Sequence, residues 1–239
     1  MLHGMQGKGP AAAGALLEAC VDSLPSALAA EAGGAGRIEL CERLDLGGIG
    51  PAPTLVAAIT ACLRIPVVVL VRPRDGDFVY DRADRAALGE GIRVARELGA
   101  RGVAFGALRP DGNVDADLIG KLVELARPML VTFHRAFDAC PDHFEAIETL
   151  MGLGVERVLT SGGAPTAELG VGRLRELVKV SDGRATILAG GGLGPANAVR
   201  IVNETGVREV HAHSALLGPS GVTDPALVRT LVDSLQATR

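Results

Sequence analysis

Several strand-like hydrophobic runs in this sequence end in side chains that could do chemistry. The clearest is VTFHRAFDAC (131–140), where the hydrophobic run is followed at once by His134, Arg135 and Asp138. Imidazole, guanidinium and carboxylate groups suit general acid/base chemistry or the binding of a small charged ligand. Asp138 could orient the imidazole, or it could cap a helix that begins near Pro141, and the sequence leaves both interpretations open.

Two other runs carry the same spacing of glutamate and cysteine. Glu18 precedes Cys20 by two residues, and Glu39 precedes Cys41 by two. Side chains two apart on a strand point to the same face, and adjacent strands lie ~4.8 Å apart. Two thiolates brought together in this way would suit a soft monovalent ion such as Cu(I). Buried free cysteine is more often a small core residue, so spacing alone favours a structural role.

Further polar residues follow the other strand-like runs. If all of them point into one cavity, they form a binding pocket for a small charged ligand. The alternative is a closed ion-pair network of Glu18, Glu39 and Arg72 without a chemical role, although such networks add little net stability. We favour the ligand site and predict a pocket containing Arg72, Arg74, Asp77, Arg135, Asp138, Ser161 and His211.

A glycine-rich segment, LAGGGLGP (188–195), follows the seventh run. Gly190, Gly191 and Gly192 would let the backbone approach a ligand closely, and the loops after the last strands of a barrel often bind phosphate through backbone N–H groups. The sequence therefore predicts an anion-binding loop here, although glycines also form tight turns without binding anything.

Eight strand-like runs alternate with helical patterns along the whole chain. Helical periodicity is clearest at 84–98 and 166–180, and a helix is expected to begin near Asn197. This order predicts an α/β fold, a (β/α)8 TIM barrel in a single domain, in which functional residues lie at the carboxyl ends of the strands. A doubly wound open sheet is the alternative. The eight predicted strands are 15–20, 37–41, 67–72, 102–106, 129–134, 155–160, 185–190 and 208–213.

Composition limits the partners. The 239 residues include 28 acidic and 24 basic side chains, so no basic surface for nucleic acid is expected. No apolar run is long enough to span a bilayer, and no dinucleotide fingerprint or other organic cofactor motif is present.

Residues 1–14 are predicted to be a disordered leader, with one domain over 15–239. Four scattered cysteines predict reduced thiols in the cytoplasm. The expected partners are a copper ion or a small anionic molecule, with a homo-oligomer left open.

Five motifs follow one another along the chain: RIELC (37–41), VRPRDGDFVYD (71–81), VTFHRAFD (131–138), ERVLTSG (156–162) and EVH (209–211). Together and in this order they resemble the CutC copper homeostasis protein family. The resemblance covers nearly the whole chain and implies a TIM barrel and a cytosolic protein linked to copper. It also implies that Cys20 and Cys41 are the proposed Cu(I) ligands of the family, which raises the metal hypothesis above the structural one. One departure is the short connection SALLGPSGVTDPA after the last strand.

Two functional hypotheses follow. The first is a cytoplasmic Cu(I)-binding protein with Cys20 and Cys41 as ligands. The second is an enzyme acting on a small anionic or phosphorylated metabolite, with Glu18, Glu39 and His134 as general acid/base candidates. In that case Arg72 and Arg74 would clamp the charge and Gly190 to Gly192 would cradle the anion.

Overall fold

Within the described part of the chain, eight parallel strands, β1 to β8, close into a barrel in sequence order, and each strand is followed by one of eight α-helices, α1 to α8. The structure is a computed structural model that describes residues 14–237. The predicted leader therefore lies outside the described residues, apart from Gly14. The strands are Leu16–Val21, Arg37–Leu40, Val67–Leu70, Gly102–Phe105, Leu130–Phe133, Arg157–Thr160, Thr186–Gly190 and Glu209–Ala212. The helices are Leu24–Gly33, Pro53–Cys62, Arg82–Glu97, Ala116–Ala126, His143–Gly152, Val171–Ser181, Ala198–Thr205 and Pro225–Gln236.

The predicted (β/α)8 barrel is confirmed, and each predicted strand overlaps an observed one. The open-sheet alternative is wrong because β1 pairs with β8, with Glu18 opposite His211. The helix predicted over 166–180 begins only at Val171, because residues 161–170 form a loop that bonds to the loop after β7. None of the helices in the described part of the chain combines the length and apolarity needed to cross a bilayer.

Because side chains alternate between the two faces of each strand, the strands contribute to two separate packing regions: the core beneath the helices and the barrel interior. On β1, Leu17 and Ala19 face the helices and join the main core, while Glu18 and Cys20 face the barrel interior. The interior holds a small apolar cluster of Cys20, Cys41, Val68, Leu70 and Ala104. Above this cluster, the strands open into the loops that form the mouth.

Side-chain caps fix where several helices begin. Asp142 caps α5, since its carboxylate accepts hydrogen bonds from the backbone N–H groups of Phe144 (2.8 Å) and Glu145 (3.1 Å). The interpretation of Asp138 as this cap is therefore wrong. A short 3-10 helix, Arg135–Ala139, separates β5 from α5, and it places Asp138 towards the loop after β6 instead.

Candidate functional site

A buried ion-pair network fills the lower part of the barrel interior. Both carboxylate oxygens of Glu18 are engaged, one with Arg37 Nε at 2.5 Å and the other with His211 Nδ1 at 2.8 Å. Arg37 also donates to Glu209 at 2.6 Å, and Arg157 donates to the same Glu209 oxygen at 2.6 Å. The network joins β1, β2, β6 and β8. Arg72 is not part of it, so the predicted closed network of Glu18, Glu39 and Arg72 does not form.

The partners of Glu18 fix its charge state. Burial by itself would raise the pKa of Glu18, but the hydrogen bond from His211 and the charge of Arg37 outweigh it and lower the pKa to about 2. Burial likewise works to lower the pKa of His211, yet the hydrogen bond to Glu18 and the charges of Glu39 and Glu18 raise it. Glu18 is thus an ionised structural partner of Arg37 and His211, and both of its oxygens are already engaged.

Cys20, Cys41 and Glu39 lie immediately above this network. The two sulfur atoms are 3.5 Å apart, and Cys20 Sγ is 3.9 Å from Glu39 Oε1. One potential ligand atom from each of Cys20, Glu39 and His211 lies within 4.8 Å of the others. The predicted convergence of the two E-x-C motifs is therefore present, because Cys20 lies opposite Glu39 in the strand register.

Glu39 and Cys20 both have raised pKa values in this cluster. Burial raises the pKa of Glu39 to about 7, helped by the nearby charge of Glu18, while His211 and Arg37 oppose the rise. The hydrogen bond with Cys41, followed by burial, raises the pKa of Cys20. The second oxygen of Glu39, Oε2, is buried and has no hydrogen-bond partner in the described chain. Glu39 therefore differs chemically from Glu18, although both occupy the same position in their motifs.

Arg72 projects into the mouth from the segment that follows β3. It is 8% exposed, and its guanidinium donates to main-chain carbonyl oxygens, chiefly Gly48 at 2.8 Å and Gly76 at 3.0 Å. It forms no salt bridge with any residue in 14–237, and its Nε has no partner there. Arg72 is thus a buried cation that holds two loops by hydrogen bonds but has no opposing charge.

His134 stands beside Arg72 at the end of β5. Its Nδ1 accepts a hydrogen bond from the backbone N–H of Ala136 at 3.2 Å, which assigns the proton to Nε2. Nε2 is buried without a partner in the described residues. Burial and the charge of Arg72 lower the pKa of His134 to about 3, so the ring is neutral. The prediction that Asp138 orients this ring is therefore wrong.

Close packing fixes the position of the His134 ring. It lies 5.0 Å from the ring of Phe78, centroid to centroid. A side chain on Gly106 would place Cβ only 2.7 Å from Nδ1 and Cε1 of the imidazole. The absence of a side chain at Gly106 therefore leaves the space that the imidazole occupies.

Asp138 organises the loop after β6. Its carboxylate pairs with Arg135 and accepts hydrogen bonds from Thr160 Oγ1 (2.5 Å), Ser161 N (3.1 Å) and Gly163 N (2.9 Å). Arg135 in turn donates to Ser161 Oγ at 3.0 Å. The charge of Arg135 is therefore already matched, and Asp138 and Ser161 support the mouth without lining its cavity.

The glycine segment after β7 borders the same region. Gly191 lines the cavity, and a side chain there would place Cβ 3.1 Å from Arg135 Nη1. Gly190 ends β7, and a side chain there would reach 2.5 Å from Leu159. Gly192 does not line the cavity, and its carbonyl accepts from the Asn197 side chain at 3.0 Å. Only one of the three predicted glycines thus borders the ligand space.

Arg74 and Asp77 lie outside the cavity on the rim. They pair with one another at 2.8 Å, and Arg74 also pairs with Asp84 at the start of α3 at 2.8 Å. These contacts order the loop between β3 and α3. Their guanidinium and carboxylate groups face each other and not the ligand space that the sequence predicted for them.

The residues that do converge enclose a cavity of about 200 Å³ at the carboxyl ends of the strands. Of the predicted site residues, Cys20, Glu39, Cys41, Arg72, His134, Arg135, Gly191 and His211 line it. The structure adds residues that the sequence interpretation did not select, namely Leu44, Gly47, Gly48, Leu70, Phe78, Leu159 and His213.

Three charged residues of the network, Arg37, Arg157 and Glu209, were also missed. Each lies two positions before a residue that points into the barrel, namely Glu39, Leu159 and His211. Strand alternation would have placed them on the inner face, because side chains at i and i+2 share a side.

Comparisons with known proteins agree with one another. A sequence model of the CutC family matches residues 15–216. The Mus musculus protein named copper homeostasis protein cutC homolog is 44% identical over 216 residues, covering 90% of this chain and 79% of that protein. A family protein CutC from Caulobacter vibrioides is 47% identical over 210 residues, covering 88% of this chain and 84% of that protein.

Solved structures share the barrel. CutC from Streptococcus agalactiae has a TM-score of 0.79 at 30% identity, covering 82% of this chain and 97% of that chain. Phosphoribosyl anthranilate isomerase from Thermus thermophilus has a TM-score of 0.58 at 18% identity, covering 94% of this chain and 100% of that chain. The second similarity supports the fold alone.

Proposed function

The chain belongs to the CutC family, and we propose that it binds Cu(I) through Cys20 and Cys41 and acts in copper homeostasis in the cytoplasm. The observation that carries the proposal is the 3.5 Å separation of the two sulfur atoms at the base of the cavity. Soft sulfur donors select Cu(I), whereas carboxylates alone would favour hard cations such as Mg²⁺ or Ca²⁺.

The surroundings of the sulfur pair suit a bound cation. Glu39 and His211 each place one potential ligand atom within 4.8 Å of the ligand atom of Cys20. Oε2 of Glu39 has no hydrogen-bond partner among residues 14–237, so this oxygen is available to an ion. Metal binding displaces protons from thiols, and here the burial of the cluster would limit exchange of the bound ion with water.

The cytoplasmic location rests on the thiols. All four cysteines are free, including the close pair of Cys20 and Cys41. Two buried thiols this close persist most readily in a reducing compartment. The proposal therefore joins a Cu(I) ligand pair to a compartment that keeps those ligands reduced.

An anaerobic competition titration against a chromophoric Cu(I) chelator tests this function. We expect Cys20→Ser and Cys41→Ser each to weaken Cu(I) binding by about tenfold or more, because a hydroxyl is a poor ligand for a soft ion. Cys62→Ser is the matched control, since Cys62 is exposed at the end of α2, away from the cavity. Equal affinity in the parent and all three variants would contradict the proposal.

A second candidate function is an enzyme acting on a small anionic metabolite in the same cavity. It is favoured by three buried polar atoms without partners in the described chain, Glu39 Oε2, Arg72 Nε and His134 Nε2, on residues that line one cavity. In this function Glu39 is the general base and neutral His134 donates a hydrogen bond, while Glu18 only fixes His211.

Solvent exchange tests the second candidate. The protein would be incubated in D₂O with a panel of small carboxylates and phosphorylated metabolites. Proton NMR would then record whether any compound loses a C–H signal through exchange with the solvent. We expect exchange in at least one compound, lost in Glu39→Gln and kept in Cys41→Ser. A panel in which no compound exchanges above the protein-free rate speaks against a proton-abstracting enzyme.

A further inference from the structure

We propose that Arg72 and His134 form a binding site for the carboxylate group of a small organic acid. The inference deepens the second candidate function, because it names the class of ligand and the residues that hold it. The site lies on the part of the cavity wall contributed by the ends of β3 and β5, whereas Cys20 lies in β1 and Cys41 immediately follows β2. It requires neither copper nor a chemical reaction.

Arg72 supplies a positive charge that nothing in the described chain neutralises. The other three arginines at the mouth or inside the barrel each pair with a carboxylate: Arg37 with Glu18, Arg157 with Glu209 and Arg135 with Asp138. Within residues 14–237, the hydrogen bonds of Arg72 run from its two terminal nitrogens to carbonyl oxygens, whose dipoles carry no net charge. A buried charge without a counter-charge is costly, so this position favours an anion.

The nearby hydroxyl of Tyr80 does not remove this requirement. Burial raises the pKa of Tyr80 even though the charges of Arg72 and Arg74 and the approach of the Arg72 side chain oppose the rise, so the phenol is neutral. Its Oη is itself buried without a hydrogen-bond partner within residues 14–237. A neutral oxygen could accept a hydrogen bond from Arg72 after a small movement, but the positive charge would remain unmatched.

His134 adds a directed donor without adding charge. Because Nδ1 already accepts from Ala136 N, the free Nε2–H is available to an acceptor oxygen. Phe78 packs beside both residues, with the Arg72 guanidinium 5.1 Å from its ring centroid. One cation and one neutral donor match a carboxylate, since it carries one charge and two acceptor oxygens. The Phe78 ring offers an apolar surface to the body of the acid and not to its charged group.

The charge balance favours a carboxylate over a doubly charged phosphate. A phosphate dianion would need a second cation, and Arg135 and His211 already pair with Asp138 and Glu18. The remaining lining near Arg72 is largely apolar, with Leu44, Leu70 and Phe78. A cavity of about 200 Å³ limits the ligand to a small molecule. The class is therefore a small acid with a compact, partly apolar body.

Titration calorimetry on the metal-free protein tests the site. The probes are acetate and benzoate against inorganic phosphate, each at matched ionic strength and up to about 50 mM, a range that covers weak millimolar binding. Long-range ¹H–¹⁵N NMR of the histidine side chains locates the site, since a ligand bound to His134 Nε2 shifts that signal. We expect saturable binding of a carboxylate, with phosphate about tenfold weaker or more.

The variants decide whether Arg72 and His134 hold the anion. Arg72→Lys keeps the positive charge but removes the planar guanidinium group with its several N–H donors. We expect Arg72→Lys and His134→Gln each to weaken carboxylate binding by about tenfold. Arg93→Gln, exposed on α3 and outside the cavity lining, is the matched control and should bind as the parent does. The calorimetry uses metal-free protein, so failure of this site is separable from failure of the copper proposal.

Three results would overturn the inference: no saturable binding of either carboxylate, phosphate binding as tight as carboxylate, or equal carboxylate affinity in the parent, Arg72→Lys and His134→Gln. Failure of the enzyme candidate is distinguishable, because carboxylate binding without any C–H exchange removes the reaction and leaves the binding site intact.

Discussion

Replacing Glu39 with glutamine should change how the stability of the metal-free protein depends on pH. The carboxyl is buried beside Cys20, near the ionised Glu18, and is close to Arg37 on its own strand and His211 on β8. Burial is the largest cause of its raised pKa, and the two cations only partly oppose it. Glutamine keeps the shape of the side chain and removes the titrating proton.

The sign follows from proton binding. Between pH 4.5 and about 7 the folded chain holds a proton on Glu39, while the same carboxyl in the unfolded chain has lost it. The folded state therefore binds more protons, and the free energy of unfolding falls as pH rises through this window. A pKa of about 7 in place of 4.5 corresponds to about 3 kcal/mol.

Urea denaturation measured at intervals from about pH 4 to about pH 8 checks this. Glu39→Gln should match the parent at the acidic end and be more stable at the alkaline end, by up to about 3 kcal/mol. Glu97→Gln is the matched control, because Glu97 is exposed on α3 and should follow the parent throughout. Parallel profiles for the parent and Glu39→Gln across the whole range would refute the reasoning.

Two further substitutions probe the barrel interior. Glu18→Gln removes the counter-charge of Arg37 and His211, so we expect a loss of about 3–5 kcal/mol near neutral pH in urea denaturation. The contribution of Glu18, whose pKa is lowered to about 2, is present above pH 4.5 and lost as pH falls towards 2; a variant that keeps the parent's acid-dependent loss would contradict this. Gly106→Ala forces a Cβ against the His134 ring and should cost about 1–3 kcal/mol. Gly152→Ala, with open space around it, is its control, and equal stability of the two variants would count against the packing argument.

The fold was predictable because its signals are local. Hydrophobic runs of strand length, alternating with helical periodicity eight times, are compatible with few architectures, and the barrel is confirmed. The boundary at Val171 was not predictable in this way, since the loop before it is held by contacts such as Ala167 N to Gly191 O. When a loop is stabilised by contacts with a distant segment, its own sequence does not show that it is a loop and not part of the helix.

In the candidate site, too, some features were predictable from local spacing and others were not. The spacing of Cys20 and Cys41 behind their glutamates was enough to place both cysteines on the inner face. The role of Asp138 was not predictable, because its carboxylate binds backbone N–H groups more than twenty residues away, such as Gly163 N. Residue type and spacing could not distinguish Arg74 from Arg72. Only the folded structure shows that Arg74 lies on the rim and Arg72 in the cavity wall.

By itself, then, the sequence determined the barrel and the faces on which the acidic and sulfur-bearing side chains lie, since alternation along a strand is a local property. The tertiary structure decided the charge state and the hydrogen-bond partners of those side chains. Glu18 and Glu39 occupy the same place in matching motifs, yet their pKa values are about 2 and about 7. Glu18 contacts Arg37 and His211, the latter 193 residues away, whereas Glu39 is buried with one oxygen that has no partner in residues 14–237. Charge in a protein interior depends on neighbours that only folding brings together.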